Sequence, residues 1–265
     1  MSLRRLLGTA VTMMALLAAP AGVAQADEVD DIISRGTIRI AVDTAAPPFG
    51  FMNETNEPDG ADVAAARLLA EDLGVALEIV PTTSANRIPY LTSGRADLTI
   101  STLAINPERA KAVDFSSPYS VIRAVIVAPR DVLIESPADL SGKRISVPRG
   151  NTNETDTVAI APPDAEIIRF DDEAGAMNAL ASGQVDAYAV GEPLSKPLID
   201  RFPDRQYETK LVLRTNYLGI GMRRGQPALL QWVNSWVHFH LHNDGKLKDI
   251  YSQYIGGELP NLPPL

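Results

Sequence analysis

Cysteine is absent from this 265-residue chain, which excludes disulfide bonds, thiolate nucleophiles and cysteine-based metal sites. Basic residues are scarce relative to acidic ones, with 24 Lys and Arg against 33 Asp and Glu and a formal net charge of −9. A protein that binds nucleic acid needs a basic face, so this balance argues against nucleic acid as a partner. It also argues against binding to anionic lipid. Stability must therefore come from a packed core, which the length and the 45% apolar content can supply.

Common catalytic and metal-binding signatures are absent as well. The sequence contains no HExxH, no Walker loop, no Gly-x-Ser-x-Gly and no GxGxxG motif. The histidines His238, His240 and His242 lie on one predicted helix, where only the first and the third share a face. Two histidines supply half of a zinc site. We therefore expect packing or solvated histidines, with no metal and no cofactor.

Long apolar runs are confined to the N-terminus. Residues 1–5 are basic, residues 6–19 are largely apolar, and residues 24–26 read Ala-Gln-Ala. This order is typical of a secretory signal peptide that is cleaved after residue 26. A membrane anchor is the alternative, but a run of about 14 apolar residues is short for a span of about 20. Arg4 and Arg5 leave both the general secretory and the twin-arginine export routes open.

Segments with strand and helix periodicity alternate along the rest of the chain. Strands are predicted at residues 37–42, 76–80, 97–100, 121–128, 144–147, 166–170, 185–190, 211–213 and 218–222. Helices are predicted at residues 62–73, 84–91, 136–140, 173–181, 228–241 and 246–254. The alternation predicts an α/β fold with parallel strands, in which ligands lie beyond the carboxyl ends of the strands.

The pattern occurs twice, which predicts two lobes with a cleft between them. We expect residues 27–128 and 214–265 to form lobe 1, and residues 129–213 to form lobe 2. Two crossover strands, near residues 127–130 and 214–219, would connect the lobes. A molecule of this kind closes around its ligand by a hinge motion.

The polar residues after the strand at 97–100 form the most informative local pattern. Ser101 and Thr102 end this strand, and a turn then begins a short helix that carries Arg109. A guanidinium offers a planar fork that matches both oxygens of a carboxylate. No nucleophile with an adjacent base accompanies these groups, so they predict a site that binds a small carboxylate. The alternative is a surface arginine paired with an acidic neighbour, a contact that is worth little.

A series of further motifs follows in order along the chain. They are Ile-Arg-Ile-Ala-Val-Asp…Pro-Pro-Phe at 38–49, Asp-Gly-Ala-Asp-Val at 59–63, Ala-Asn-Arg-Ile-Pro-Tyr-Leu at 85–91, Asn-Pro-Glu-Arg at 106–109, Leu-x-Gly-Lys-Arg-Ile-x-Val at 140–147, Ala-Leu-x-x-Gly-x-Val-Asp-Ala at 179–187 and Asp-Gly-x-Leu at 244–247. Together they resemble the family 3, or amino-acid type, extracellular solute-binding proteins. The resemblance implies a two-lobed periplasmic binding protein of type II that delivers a solute to the membrane subunits of an ABC importer.

The resemblance also implies roles for individual residues. Arg109 would hold the carboxylate of the ligand, with hydroxyl and N–H groups at Thr102 and Thr152 assisting it. The rest of the wall would consist of Asp43, the backbone of Ser101 and Phe49. Two of these keep a second interpretation, because an aspartate after a strand can cap its own turn and an apolar aromatic can belong to the core.

Two other candidates, Arg87 and Glu192, also have more than one interpretation. Arg87 faces solvent, forms a salt bridge with Asp97, or reaches the cleft, where a second arginine would suit a second acidic group on the ligand. Glu192 either supplies an ammonium ligand in place of Gly191, where the family often has an acid, or lies on the surface near the hinge. Asn151 belongs to a polar loop whose N–H groups we expect to face the cleft.

These departures affect the predicted ligand. The family often has Ser or Thr where Ala104 stands, and an acid where Gly191 stands. The sequence therefore predicts a small carboxylate-bearing solute, an amino acid or a derivative of one, bound by a monomer in the periplasm without catalysis. The alternative function is a periplasmic dehydratase of cyclohexadienyl acids on the same scaffold. It needs a general acid with a raised pKa, for which Glu192 and Glu154 are the candidates.

Overall fold

Two five-stranded sheets organise residues 27–264, which are the part of the chain that this computed structural model describes. The leader predicted over residues 1–26 lies outside the described residues. The strands are β1 Thr37–Val42, β2 Phe51–Met52, β3 Pro58–Asp59, β4 Ala76–Pro81, β5 Leu98–Thr99, β6 Val113–Phe115, β7 Ser120–Pro129, β8 Arg144–Pro148, β9 Glu166–Phe170, β10 Ala187–Gly191, β11 Tyr207–Leu218 and β12 Gly221–Arg223. The helices are α1 Glu28–Arg35, α2 Ala61–Leu73, α3 Arg87–Thr92, α4 Pro107–Ala110, α5 Thr152–Ile160, α6 Glu173–Ala181, α7 Lys196–Arg201, α8 Pro227–His242 and α9 Lys246–Tyr254.

The first sheet has the strand order β4-β1-β5-β12-β6, and β1 is parallel to both of its neighbours. Ile38, Ile40 and Val42 of β1 are completely buried in its core. Helix α2 packs on this sheet and ends at Gly74, whose φ of 72° suits a residue without a side chain. Because β1 and β5 run in the same direction, the polar residues that follow them lie at one edge of the sheet.

The second sheet has the strand order β11-β7-β10-β8-β9. Strand β8 is parallel to β9 and β10, whereas β7 is antiparallel to β10 and β11. Buried apolar side chains on β7, β8 and β10 form the core of this half of the chain. The loop after β8 leads directly into α5, so the start of this helix lies at the carboxyl edge of the second sheet.

The chain passes between the sheets twice, and the first passage differs from the predicted one. It lies at residues 116–119, between β6 and β7, rather than near 127–130. The apolar run at 121–128 is buried because β7 pairs with both β10 and β11 along the second sheet. The return passage lies between Leu218 and Gly221, at the end of the segment predicted for it. The division into lobes at residues 128 and 213 stays a prediction.

Helix α8 carries all three histidines and is the longest helix in the described part of the chain. His240 is 2% exposed, and its ring nitrogens lie 2.7 Å from Asp72 Oδ2 and 3.0 Å from Asp244 Oδ1. The indole N–H of Trp236 donates to the same Asp72 oxygen at 2.8 Å. Asp72 on α2 therefore ties α8 to the first sheet's helical layer. Within residues 27–264, no helix has both the length and the apolar character that crossing a bilayer requires.

We expect Asp72→Ala to lower the free energy of unfolding by about 1–3 kcal/mol, because two nearly buried ring nitrogens lose their acceptor. The matched control is Glu71→Ala, one position earlier on the same helix, where the side chain is exposed. It should change stability by less than about 0.5 kcal/mol. Urea denaturation of both variants measures the difference, and equal effects would contradict the role assigned to Asp72.

Candidate functional site

A buried arginine joins the carboxyl ends of β1 and β5. Arg87 begins α3 and is 2% exposed. Its Nε donates to Ser101 Oγ at 3.2 Å, and its Nη2 lies 3.0 Å from Thr102 Oγ1 and 3.4 Å from Asp43 Oδ2. Ser101 Oγ also accepts from the backbone N–H of Asp43 at 3.0 Å. These contacts place Arg87 at the cleft edge of the sheet rather than in solvent.

The carboxylate of Asp43 caps its own turn, as one interpretation of the sequence predicts, and it also pairs with Arg87. Its Oδ1 accepts from the N–H of Ala45 at 3.1 Å, which caps the turn, while Oδ2 faces Arg87. Burial raises the pKa of Asp43, and the charge of Arg87 offsets part of that rise. Asp97, the alternative partner predicted for Arg87, instead binds Arg39, with a distance of 2.7 Å between Oδ1 and Nη2.

Thr102 is held in an unusual backbone conformation by a second buried carboxylate. Its φ is 44°, and its N–H donates to Asp62 Oδ2 at 2.9 Å. The hydroxyl of Tyr119 donates to Asp62 Oδ1 at 2.7 Å. Burial raises the pKa of Asp62 to about 6, although both hydrogen bonds oppose the rise. The sequence analysis assigned Asp62 no role in the site, because its partners are 40 and 57 residues away along the chain.

Arg109 lies between the two sheets. Asn106 caps the short helix α4 by accepting from the N–H of Arg109 at 2.8 Å, which orients the helix. Nη1 of Arg109 donates to the carbonyl of Ala104 at 3.0 Å, and Nη2 donates to the carbonyl of Gly150 at 3.2 Å. Burial lowers the pKa of Arg109 to about 10, and the charge of Arg87 lowers it further. The guanidinium therefore contacts both halves of the molecule through neutral carbonyl partners.

The second half presents the start of α5 to the cleft. Asn151 caps this helix by accepting from the N–H of Glu154 at 2.9 Å, and Asn216 Nδ2 lies 3.4 Å from Thr152 Oγ1. Gly150 has a φ of 78°, and a Cβ there would lie 3.0 Å from Cα of Ala85. The two halves thus approach to van der Waals distance beside the cleft, and Gly150 leaves room for this approach.

Glu173 is a cleft residue that the sequence analysis missed. It is the first residue of α6 and is 6% exposed. The hydroxyl of Tyr188 on β10 donates to Oε2, and Asn151 Nδ2 donates to Oε1 at 3.3 Å. The pKa of Glu173 is raised to about 7, chiefly by burial and in part by the charge of Asp43, while the hydrogen bond from Tyr188 and the charge of Arg87 oppose the rise. An acid in the first turn of a helix is usually exposed and compensates the helix dipole, so no local pattern in the sequence indicates its burial.

These residues surround a narrow cavity of about 30 Å³. Its lining consists of Arg87, Thr102, Ala104, Arg109, Ile122, Asn151, Thr152, Asn153, Glu173, Gly191, Leu194 and Asn216. Arg87, Thr102, Arg109, Asn151 and Thr152 were candidates from the sequence, and the structure brings them together here. Asp43 and Ser101 lie directly behind Arg87. Their roles in binding stay predictions.

Two sequence candidates lie elsewhere. Glu192 binds Arg123 through two hydrogen bonds of 2.7 and 2.6 Å and is not among the cavity-lining residues. The acid expected near the end of β10 is therefore not Glu192, because its charge is already neutralised outside the cavity. Phe49 is 1% exposed and belongs to the apolar core. It packs there because its carbonyl accepts from the N–H of Asp62, which turns the loop inward.

Two α/β halves with a cleft of polar side chains between them have the architecture of a two-lobed solute-binding protein. The chain belongs to the bacterial extracellular solute-binding proteins, family 3, whose sequence model matches residues 38–257. The predicted family and the predicted two-lobed α/β fold are thus confirmed.

Known proteins of this family resemble the chain over most of its length. It is 28% identical to the L-cystine-binding protein TcyJ of Escherichia coli K12, over 94% of each chain. The crystal structure of an L-cysteine receptor of Neisseria gonorrhoeae is 31% identical with a TM-score of 0.80, covering 86% of this chain and 93% of that one. An ancestral amino-acid-binding protein, AncCDT-1, described as a precursor of cyclohexadienyl dehydratase, is 32% identical with a TM-score of 0.78, covering 86% and 99%.

The two buried carboxyls predict an unusual pH dependence of stability in the unliganded protein. Asp62 and Glu173 have pKa values near 6 and 7, above those of the unfolded chain, so the folded state binds their protons more tightly. The stability that they contribute is complete below about pH 4 and is lost as the pH rises through 6 and 7.

Glu173→Gln should remove the share of this pH-dependent stability that comes from Glu173. At pH 8 we expect the variant to be more stable than the wild type by up to about 3 kcal/mol, whereas at pH 4 the two should agree. Urea denaturation between pH 4 and 8 measures this difference, with the exposed Glu166→Gln as the control. A difference that does not change with pH would contradict the raised pKa.

Proposed function

We propose that this protein is the periplasmic receptor of an ABC importer and that it binds an amino acid or a close derivative by closing its two lobes around it. The half-buried guanidinium of Arg109 is the observation that carries the proposal. It lines the cavity, and among residues 27–264 its hydrogen-bond acceptors are the carbonyls of Ala104 and Gly150. A guanidinium has five N–H donors, so most of them remain for a ligand carboxylate.

The surroundings of Arg109 support a carboxylate over a neutral ligand. Its pKa is lowered because burial disfavours the charged form, and an anion at the same place would offset that cost. A bidentate pair between arginine and carboxylate also gains strength in a site of low dielectric. Thr102, Thr152 and Asn216 supply neutral polar groups in the same wall. In this arrangement the carboxylate is the part of the ligand that anchors it.

A second carboxylate on the ligand is not required. Arg87 suggested one when only the sequence was considered, but Asp43 lies 3.4 Å from it and offsets its charge. Ser101 and Thr102 accept further hydrogen bonds from the same guanidinium. The relatives named for cysteine, glutamine and arginine bind ligands with one α-carboxylate, whereas L-cystine, the ligand of another relative, has two.

Contacts between the lobes support a mechanism by closure. Arg109 on α4 donates to the carbonyl of Gly150 in the loop after β8, so a group that would hold the ligand also bridges the cleft. A ligand that contacts both walls favours the closed state by its differential affinity for it. The permease would then recognise the closed receptor, and a secreted monomer with the leader at residues 1–26 fits this role.

An enzymatic function is the second candidate, and one observation favours it. Of the acids that the sequence suggested, Glu192 binds Arg123, and the pKa of Glu154 is lowered overall. Although burial raises that pKa, hydrogen bonds from the Gly150 N–H and from Arg169 outweigh the rise. Glu173 does have the raised pKa that a general acid needs. Incubation of the purified protein with a cyclohexadienyl acid, followed by ultraviolet absorbance, tests this candidate, and we expect no turnover.

Arg109→Ala should weaken binding of the cognate amino acid by about 30-fold or more, because loss of one partner of a buried charge pair costs about 2–5 kcal/mol. Calorimetric titration with L-cystine, L-cysteine, L-glutamine and L-arginine identifies the ligand in the wild type and measures the loss. Lys111→Ala is the control, since Lys111 is exposed two positions further along and pairs with Glu108. Near-normal affinity in Arg109→Ala would contradict the proposed carboxylate site.

A further inference from the structure

One carboxylate in the cavity wall has no cationic partner. Glu173 lines the cavity and is 6% exposed. Its oxygens accept from the hydroxyl of Tyr188 and from the amide of Asn151. Within residues 27–264, no Lys, Arg or His nitrogen lies within 4.0 Å of this carboxylate. A buried carboxylate without a cation is costly, and the cost is offset when a cation reaches it.

The carboxylate also has hydrogen-bonding capacity left. An ionised carboxylate has about four acceptor positions, and the two donors from Tyr188 and Asn151 use one on each oxygen. The same two donors fix the orientation of Glu173 from β10 and from the cap of α5. One position on each oxygen is therefore free for a donor from the cavity, and the geometry around Glu173 is already set.

No other acid among the described residues takes this place. Glu173 is the acidic residue in the cavity lining. Position 191 is a glycine, and Cδ1 of Ile122 fills the space beside it, since a Cβ there would lie 2.1 Å from that atom. Glu192, the next residue, is held outside the cavity by Arg123. The end of β10 is thus closed to an acid, and the negative charge of the cavity comes from the start of α6.

The cavity lining carries charges of both signs. Arg87 is paired with Asp43 at 3.4 Å. Among residues 27–264, Arg109 and Glu173 have neutral hydrogen-bonding partners and no counter-ion within 4.0 Å. The lining therefore holds one incompletely satisfied cation and one incompletely satisfied anion, which complements a zwitterion.

We propose that Glu173 binds the ammonium group of the ligand and thereby selects amino acids over the same carboxylic acids without the amine. The inference rests on the proposed function, and it adds the second contact point of the same site. Arg109 takes the carboxylate, and Glu173 takes the amine. Tyr188 and Asn151 are positioning residues, since they act through Glu173.

The ionisation of Glu173 supplies a signature that a purely structural role would lack. Its pKa is near 7 in the unliganded protein, and the groups that face it are Tyr188 on β10, Asn151 at α5, Asp43 after β1 and Arg87 on α3. A ligand ammonium favours the ionised carboxylate, so binding releases a proton near neutral pH. Affinity for an amino acid should therefore fall as the pH is lowered below 7, and affinity for the acid without the amine should not.

The experiment compares matched ligands on wild type and Glu173→Gln, which keeps the size of the side chain. The ligand pairs are L-cysteine with 3-mercaptopropionate, L-cystine with 3,3′-dithiodipropionate, L-glutamine with glutaramate, and L-arginine with 5-guanidinopentanoate. Calorimetry at pH 8 should show that, in the pair that the wild type binds most tightly, the amino acid has the higher affinity. Glu173→Gln should lower the affinity for that amino acid about tenfold or more. It should leave the affinity for the matching acid without the amine about unchanged. Glu166→Gln, which changes an exposed acid of the same lobe, should change neither.

The second measurement repeats the titrations at pH 5.5. The wild type should bind the amino acid roughly 30-fold more weakly than at pH 8, as expected for a carboxylate with a pKa near 7 that must be ionised. Glu173→Gln should lose this dependence. Asp62 also has a pKa near 6, but its ionisation should change the affinity for both members of a pair equally. The ratio of the two affinities therefore reports the effect of Glu173.

Two outcomes would overturn the inference. One is an equal effect of Glu173→Gln on both members of the pair, or no effect on either. The other is a wild type that binds the acid without the amine as tightly as the amino acid. In both cases a large loss of affinity in Arg109→Ala would still support the proposed receptor for a carboxylate. If wild type binds no member of any pair, the proposed function fails together with the inference.

Discussion

The ion pair between Arg87 and Asp43 constrains the whole first wall of the cleft. Both side chains are almost completely buried, and burying two charges costs more than their attraction returns unless other hydrogen bonds complete the pair. Ser101 and Thr102 provide those bonds, so the ends of β1 and β5 and the start of α3 must meet at one point. The polar surface at this wall of the cleft therefore follows from the need to satisfy the hydrogen bonds of one guanidinium.

The other two charges of the cavity contrast with this pair. Arg109 and Glu173 have neutral hydrogen-bonding partners, from carbonyls, a hydroxyl and an amide, and no counter-ion. In both cases burial shifts the pKa towards the uncharged form. The two kinds of charge suit a receptor. The completed pair of Arg87 and Asp43 makes the wall rigid, whereas a ligand of opposite charge would stabilise Arg109 and Glu173. Binding energy then comes from charges that the protein itself leaves uncompensated.

The sequence predicted much of this site, and its failures share a cause. Alternation of strands and helices predicted the α/β lobes, and strand ends pointed to Thr102, Arg109 and Thr152 as cleft residues. Glu173 was missed because its burial arises from packing between α6, β10 and the cap of α5, which no local pattern reports. Glu192 was proposed wrongly because an adjacent acid looks equivalent in sequence, although a one-residue shift at a strand end turns the side chain away. Tertiary pairing decided each of these cases.

Asp62 connects the ligand wall to the segment that links the two sheets. Its carboxylate accepts from the N–H of Thr102, which lines the cavity, and from the hydroxyl of Tyr119, which lies in the passage at residues 116–119. Thr102 keeps its φ of 44° through this bond, so the wall and the connecting segment share one acceptor. A rotation of the two halves about this passage would therefore have to carry the bond between Tyr119 and Asp62 with it or break it. One carboxylate thus couples the position of the connecting segment to the shape of the cavity wall.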